Sequence, residues 1–81
     1  MLDPKQIESW IAEGLSCQEL RVEGDGEHFR ALIVSDEFRD LNKVKRQQRV
    51  YQVIKQHLDS GALHAISMQT LTPDERQQAL G

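Results

Sequence analysis

The sequence predicts an α+β domain, a three-stranded sheet with helices packed on one face, in the order helix, strand, strand, helix, strand, helix. Three observations carry this. The stretches Asp3-Pro4-Lys5-Gln6 and Thr72-Pro73-Asp74-Glu75 each set a capping residue before a proline, with Gln or Glu three positions after the cap. Apolar residues recur at helical spacing in two separate places. Between those places, Gly24-Asp25-Gly26 divides two runs of strand character.

Helix one starts at the Asp3-Pro4 box. Ile7, Trp10, Ile11 and Leu15 make its apolar stripe, and Gly14 is placed to end it. Leu20 and Val22 alternate with Arg21 and Glu23, and Phe29 leads the run Ala31 to Val34, so the two segments form a β-hairpin. Gly-Asp-Gly supplies the positive φ that a tight connection requires. Residues 35–42 are a polar connector. Asn42 caps a second helix that presents Val44, Tyr51, Ile54 and Leu58 on one face and stops at Gly61. Leu63 to Met68 is the third strand. It must join the hairpin, because a lone strand leaves its backbone groups unpaired. The Thr72-Pro73 box opens a short terminal helix.

With 81 residues and neither repeat nor linker, residues 1–81 form one small domain with a modest core. So few apolar side chains do not wall off a deep pocket, which lowers the expectation of an enzyme or of a small-molecule substrate. The single cysteine, Cys17, excludes an internal disulfide. The N-terminal MLDPKQIESW has no signal-peptide pattern, and no apolar segment reaches the roughly 20 residues of a membrane span, so a cytoplasmic protein without membrane attachment is expected.

The net charge of -3 is unevenly spread: residues 1–37 carry nine acids and three bases, whereas residues 38–58 carry six bases and one acid. Lys43, Lys45, Arg46 and Arg49, with Arg39 and Lys55, make this basic island. It can meet phosphates or an acidic protein surface; a merely solvated helix face is the plainer alternative.

No GxSxG, P-loop, GxGxxG or HExxH pattern occurs, and nothing assembles a catalytic set. Cys17 lies at the junction of helix one and strand one, with no basic neighbour in sequence to activate its thiol. His28 precedes the apolar run of strand two, His64 lies in strand three, and His57 reads as a surface residue of the second helix. Imidazole suits iron, zinc or copper, yet two histidines are an incomplete site, so a partner would have to supply the other ligands.

Residues 29–75 carry a more specific pattern. A Phe-led strand ends in Val34-Ser35, followed by Phe38, Val44, Arg46, Val50-Tyr51, His64-Ala65-Ile66-Ser67 and Leu71-Thr72-Pro73-Asp74-Glu75. In this the chain resembles the BolA family. Lys-Val-Lys-Arg-Gln-Gln-Arg-Val-Tyr at 43–51 is similar to the bacterial IbaG-like branch, where glutamines, here Gln47 and Gln48, replace the second basic residue and the histidine of the usual Arg-His-Arg.

The resemblance implies a fold similar to type II KH domains and an adaptor role, in which the protein binds a monothiol glutaredoxin and shares a 2Fe-2S cluster. That role belongs to iron-sulfur cluster assembly and trafficking, or to iron and stress response. The cluster is expected only in the complex with glutaredoxin and glutathione, none in the isolated chain. The resemblance puts one ligand on His64. It puts a second in the Gly24–His28 loop, where His28 is the one soft ligand, and both are expected to face one site. Imidazole in place of thiolate raises a cluster's potential, and protonation in acid releases the metal. The alternative is a DNA-binding transcriptional regulator using the basic helix 43–55. Against it, the connector Phe38-Arg39-Asp40-Leu41-Asn42 lacks the GxxG of a KH domain, and Asp40 stands where the family has glycine.

Overall fold

The computed structural model describes residues 1–80. Helix α1 (Pro4–Gly14) begins where Asp3 accepts a hydrogen bond from the amide of Lys5 at 2.9 Å. Strands β1 (Glu19–Gly24) and β2 (His28–Val34) form the antiparallel hairpin. A 3-10 turn (Asp36–Phe38) lies in the polar connector and leads to helix α2 (Lys43–Asp59). Strand β3 (Ala65–Leu71) and helix α3 (Pro73–Leu80) complete the chain. The strands lie in the order β1-β2-β3, with β3 parallel to β2, and α2 is the crossover that parallel pairing demands.

Alternation along the strands builds the layers. Val22, Phe29, Ala31 and Ile33 are buried, and Ile66 and Met68, their register partners on β3, are half-buried beside them. Ile7 and Ile11 of α1, Val50 and Ile54 of α2, and Phe38 and Leu63 from the connections pack into the same core. The helices approach closely at Gly14, where an added Cβ would lie 2.8 Å from Cγ1 of Val53. Gly14 therefore seats α2 as well as ending α1. Glu8 accepts a hydrogen bond from the amide of Val22 at 2.9 Å, satisfying one donor of the exposed β1 edge.

Three expectations are corrected. First, α2 does not bury the stripe Val44, Tyr51, Ile54 and Leu58. It buries Arg46, Val50 and Ile54, four residues apart, while Val44 and Tyr51, seven apart, remain 63% and 39% exposed. Second, β3 is displaced along the chain from 63–68 to Ala65–Leu71, because Ser67 and Gln69 alternate outward between Ile66, Met68 and Thr70. Leu63, 1% exposed, is a core plug ahead of the strand, and His64 stands one residue before it. Third, His57 is half-buried and stacks on Trp10, with ring centroids 3.5 Å apart and planes 6° from parallel.

Helix α3 docks at the sheet's far end. The Thr72 hydroxyl accepts from the amide of Glu75 at 3.2 Å and the Glu75 carboxylate accepts from the amide of Thr72 at 2.8 Å, the reciprocal box the sequence predicts. Arg76 clasps Glu19 of β1 through bonds of 2.8 and 3.1 Å.

Asp40 has φ of 65°, the left-handed region that a side chain with a Cβ enters at a cost of about 1 kcal/mol. Asp40→Gly is expected to stabilise the domain by up to about 1 kcal/mol, seen as a higher urea midpoint at unchanged slope. A lower midpoint would mean that the aspartate is held by something other than backbone geometry.

Candidate functional site

The hairpin loop positions His28. Asp25 accepts hydrogen bonds from the amides of Glu27 and His28, both at 2.9 Å, which closes the turn and delivers His28 to the first position of β2. Those two amides, that of His28 first, hold the Asp25 carboxyl below its ordinary titration range. Gly24 makes the turn sterically feasible: a Cβ there would lie 2.4 Å from the carbonyl oxygen of His28 and 2.6 Å from the Phe29 ring.

Parallel pairing then sets β3 beside this turn. His28 is the register partner of Ala65, so the backbone of His64 lies about 6 Å from that of His28, given the usual spacings between and along strands. Both imidazole side chains are exposed. Shallow depressions adjoin His28, one of about 270 Å³ lined by residues 28–30 and 65–67, and another of about 520 Å³ that includes Glu23, Asp25 and Arg30; His64 lines neither. Among the described residues, no group of three or more His, Cys, Asp or Glu gathers as a metal site. The register thus brings the two histidine backbones to one end of the sheet, while strand alternation gives His28 the outward parity of Ala65 and His64 the parity of Ile66.

Cys17 is no candidate ligand. It is half-buried, its thiol faces the carbonyl of Leu15 at 3.5 Å, and burial, then the negative Glu37, push its pKa up, so it keeps its proton.

The basic helix divides. Lys43 and Lys45 are exposed. Arg46, expected among the binding bases, is 8% exposed and committed internally. Its guanidinium donates to the carbonyls of Leu41 at 2.8 Å and Thr70 at 3.1 Å, and bidentately to Glu75 at 2.6 and 3.2 Å, with the Phe38 ring centroid 6.0 Å away. Arg49 is partly committed, to Glu37 at 2.9 Å and to the carbonyl of Gly14 at 3.3 Å. The residue type gave no warning for Arg46.

Arg46 first, then the amide of Thr72, lowers the Glu75 carboxyl from its ordinary 4.5 to about 2. Glu75 thus binds more protons unfolded than folded between those values, so its contribution to stability is complete above pH 4.5 and is lost as pH falls toward 2. Because the Glu75 side chain is 42% exposed, solvent screening keeps that contribution small. Glu75→Gln is expected to flatten the loss of urea stability between pH 5 and 2. An unchanged profile would move the acid sensitivity to other carboxylates.

The comparison with known proteins can now be made. Residues 8–75 match the family model described as BolA-like protein. The chain belongs to the BolA family. The acid stress protein IbaG of Escherichia coli (strain K12) is 35% identical over 74 residues, covering 91% of this chain and 88% of that protein, in accord with the IbaG-like bacterial branch. The DNA-binding transcriptional regulator BolA of Haemophilus influenzae is 38% identical over 52 residues, 64% of this chain and 50% of that protein. A BolA homologue from Coxiella burnetii superposes with a TM-score of 0.83 at 39% identity, covering 95% of this chain and 99% of that one. The order α-β-β-α-β-α is thus the fold of BolA proteins. Among the described residues no helix is long and apolar enough to cross a membrane.

Proposed function

We propose that this protein is a non-catalytic adaptor that pairs with a monothiol glutaredoxin and shares a 2Fe-2S cluster with it, His64 being its first ligand and His28 its second. The observation that carries the reading is the pair of exposed histidines on adjacent strand starts, with His64 opening the His-Ala-Ile-Ser segment of the family. The donor set fits such a cluster. Imidazoles bind iron, the chain offers too few ligands to hold a cluster alone, and a glutaredoxin cysteine with glutathione supplies the missing thiolates.

This chain's own part is to present the two imidazoles at one end of a rigid sheet. Gly24 and Asp25 fix the backbone of one and the pairing of β3 with β2 that of the other. Acid protonates imidazole in competition with the metal, so a shared cluster is released as pH falls. Lys43 and Lys45 remain free to meet acidic groups on the partner surface.

The name of the Haemophilus relative favours the second reading, DNA binding through the basic helix. Two features weigh against it: Arg46 is used up inside the fold, and Asp40 places a negative charge where a KH-like loop would approach phosphate. The test is to titrate the protein into cluster-loaded monothiol glutaredoxin, following visible circular dichroism, and in parallel into labelled duplex DNA at two salt concentrations. A new visible spectrum saturating at one protein per glutaredoxin, without salt-sensitive DNA binding, is the expected result. Salt-sensitive DNA binding with an unchanged cluster spectrum reverses the assignment.

A further inference from the structure

The two edges of the sheet are built differently. On β1 the free-edge amide of Val22 is taken by Glu8 at 2.9 Å, and Glu19, Arg21 and Glu23 set charge along the strand. Charge and a covering side chain are what keep an edge from pairing with another strand. The open part of β3 has neither. Residues 62–72 contain no Asp, Glu, Lys or Arg, and no proline or glycine interrupts them.

The register fixes which backbone groups this edge presents. The amide of Ser35 donates to the carbonyl of Leu71 at 3.0 Å, so Leu71 turns its backbone groups toward β2, and alternation turns those of Ile66, Met68 and Thr70 to the free edge. Arg46 takes the Thr70 carbonyl and Glu75 the amide of Thr72, which closes the edge at that end. Among the described residues, no hydrogen bond reaches the amides and carbonyls of Ile66 and Met68. Two donors and two acceptors, at strand spacing, stay open.

We propose that this edge pairs with the same edge of a second copy, β3 antiparallel to β3 about a two-fold axis at Ser67, joining the two three-stranded sheets into one. In that register Ile66 of each copy faces Met68 of the other, and the two exchange both backbone bonds. Every bond is formed by groups that have no other partner. A centre at Met68 would instead set Ile66 against Thr70, whose carbonyl Arg46 holds, and a centre at Ile66 would set Met68 against His64, ahead of the strand. One register therefore matches the open groups. The same features select the occupant. A charged strand finds no counter-charge on residues 62–72, and a longer one runs onto the occupied Thr70 carbonyl, whereas a second copy brings an edge equally short and equally uncharged.

Ile66 and Met68 keep their side chains on this chain's own core, so backbone pairing carries the association. Ser67, exposed and small, meets its own copy across the axis as a non-hydrogen-bonded pair, where strands approach most closely, and Ala65 meets Gln69. So short a contact buries less than the roughly 1,600 Å² of a standard interface, and a dissociation constant on the order of 100 µM is expected. The inference is independent of the cluster reading, because it uses no histidine side chain.

Sedimentation equilibrium of the full chain, from about 10 µM to about 1 mM, tests it across the range in which so small an interface titrates. The native weight-average mass is expected to climb from 9.3 kDa toward twice that value. Over the same range, amide hydrogen exchange should slow at Ile66 and Met68 and stay constant at Val22, whose amide Glu8 already holds. Ser67→Lys sets two lysines opposite each other at the axis and should weaken association about fivefold or more. Gln69→Lys sets its charge opposite Ala65 and should weaken it less. Both side chains are exposed, so far-ultraviolet circular dichroism should be native. Constant mass in the native protein, a rising mass with unchanged exchange at Ile66 and Met68, or Gln69→Lys as weak as Ser67→Lys would each overturn the proposal.

Discussion

Arg46→Ala is expected to remove about 3 kcal/mol of stability, a large share of the roughly 4–12 kcal/mol available to a domain of this size. The guanidinium is 9% exposed and ties three elements together: the carbonyl of Leu41 before α2, the carbonyl of Thr70 on β3 and the carboxylate of Glu75 on α3. Truncation leaves the buried Thr70 carbonyl without its donor and opens a void beside Phe38. The loss at Glu75 is the smaller part, because water reaches that carboxylate. Arg46→Met with Glu75→Gln should therefore cost less than Arg46→Ala alone, since the methionine fills the stem's volume and no lone charge remains. Urea unfolding measures both variants; a loss below about 1 kcal/mol for Arg46→Ala would show that these bonds contribute little net free energy.

Gly24→Ala should cost a further large amount, about 2–3 kcal/mol, for a steric reason. The new methyl would sit 2.4 Å from the carbonyl oxygen of His28, which itself accepts the amide of Asp25 at 3.3 Å, and backbone cannot step aside without reopening the turn. Gly61→Ala is the control. Gly61 has φ of 82° but nothing within 4 Å, so only the conformational cost of about 1 kcal/mol applies. If the two variants are equally destabilised, close contact at the hairpin loop is not what sets its geometry. If Gly24→Ala is the worse, displacement of His28 should appear as an altered imidazole resonance in the folded variant.

Much of this architecture was legible because its determinants are local. Both proline-started helices, the Gly-Asp-Gly hairpin and the Asn42 cap, which accepts the amide of Lys45 at 2.9 Å, depend on neighbours within a few residues. Arg46 was not legible, since its burial depends on Glu75, 29 residues away, and nothing in the run Lys45-Arg46-Gln47 distinguishes a core arginine from a surface one. The stripe on α2 misled for a related reason. Two apolar series overlap on the helix, and the sequence does not say which one meets the sheet. The histidines were found as residue types, but their proximity follows from the parallel register that pairs His28 with Ala65, a long-range fact that neither local pattern contains.

The most direct test of the cluster reading compares three chains, native, His64→Ala and His28→Ala, each mixed with a cluster-loaded monothiol glutaredoxin and followed by visible circular dichroism. Both histidines are exposed, so neither change should disturb folding. The account predicts that the native chain gives a new spectrum, that His64→Ala gives none beyond the glutaredoxin's own, and that His28→Ala gives a spectrum lost at higher pH on acidification than the native one. A spectrum from His64→Ala identical to the native one would contradict the central claim and leave the adaptor role without its ligand.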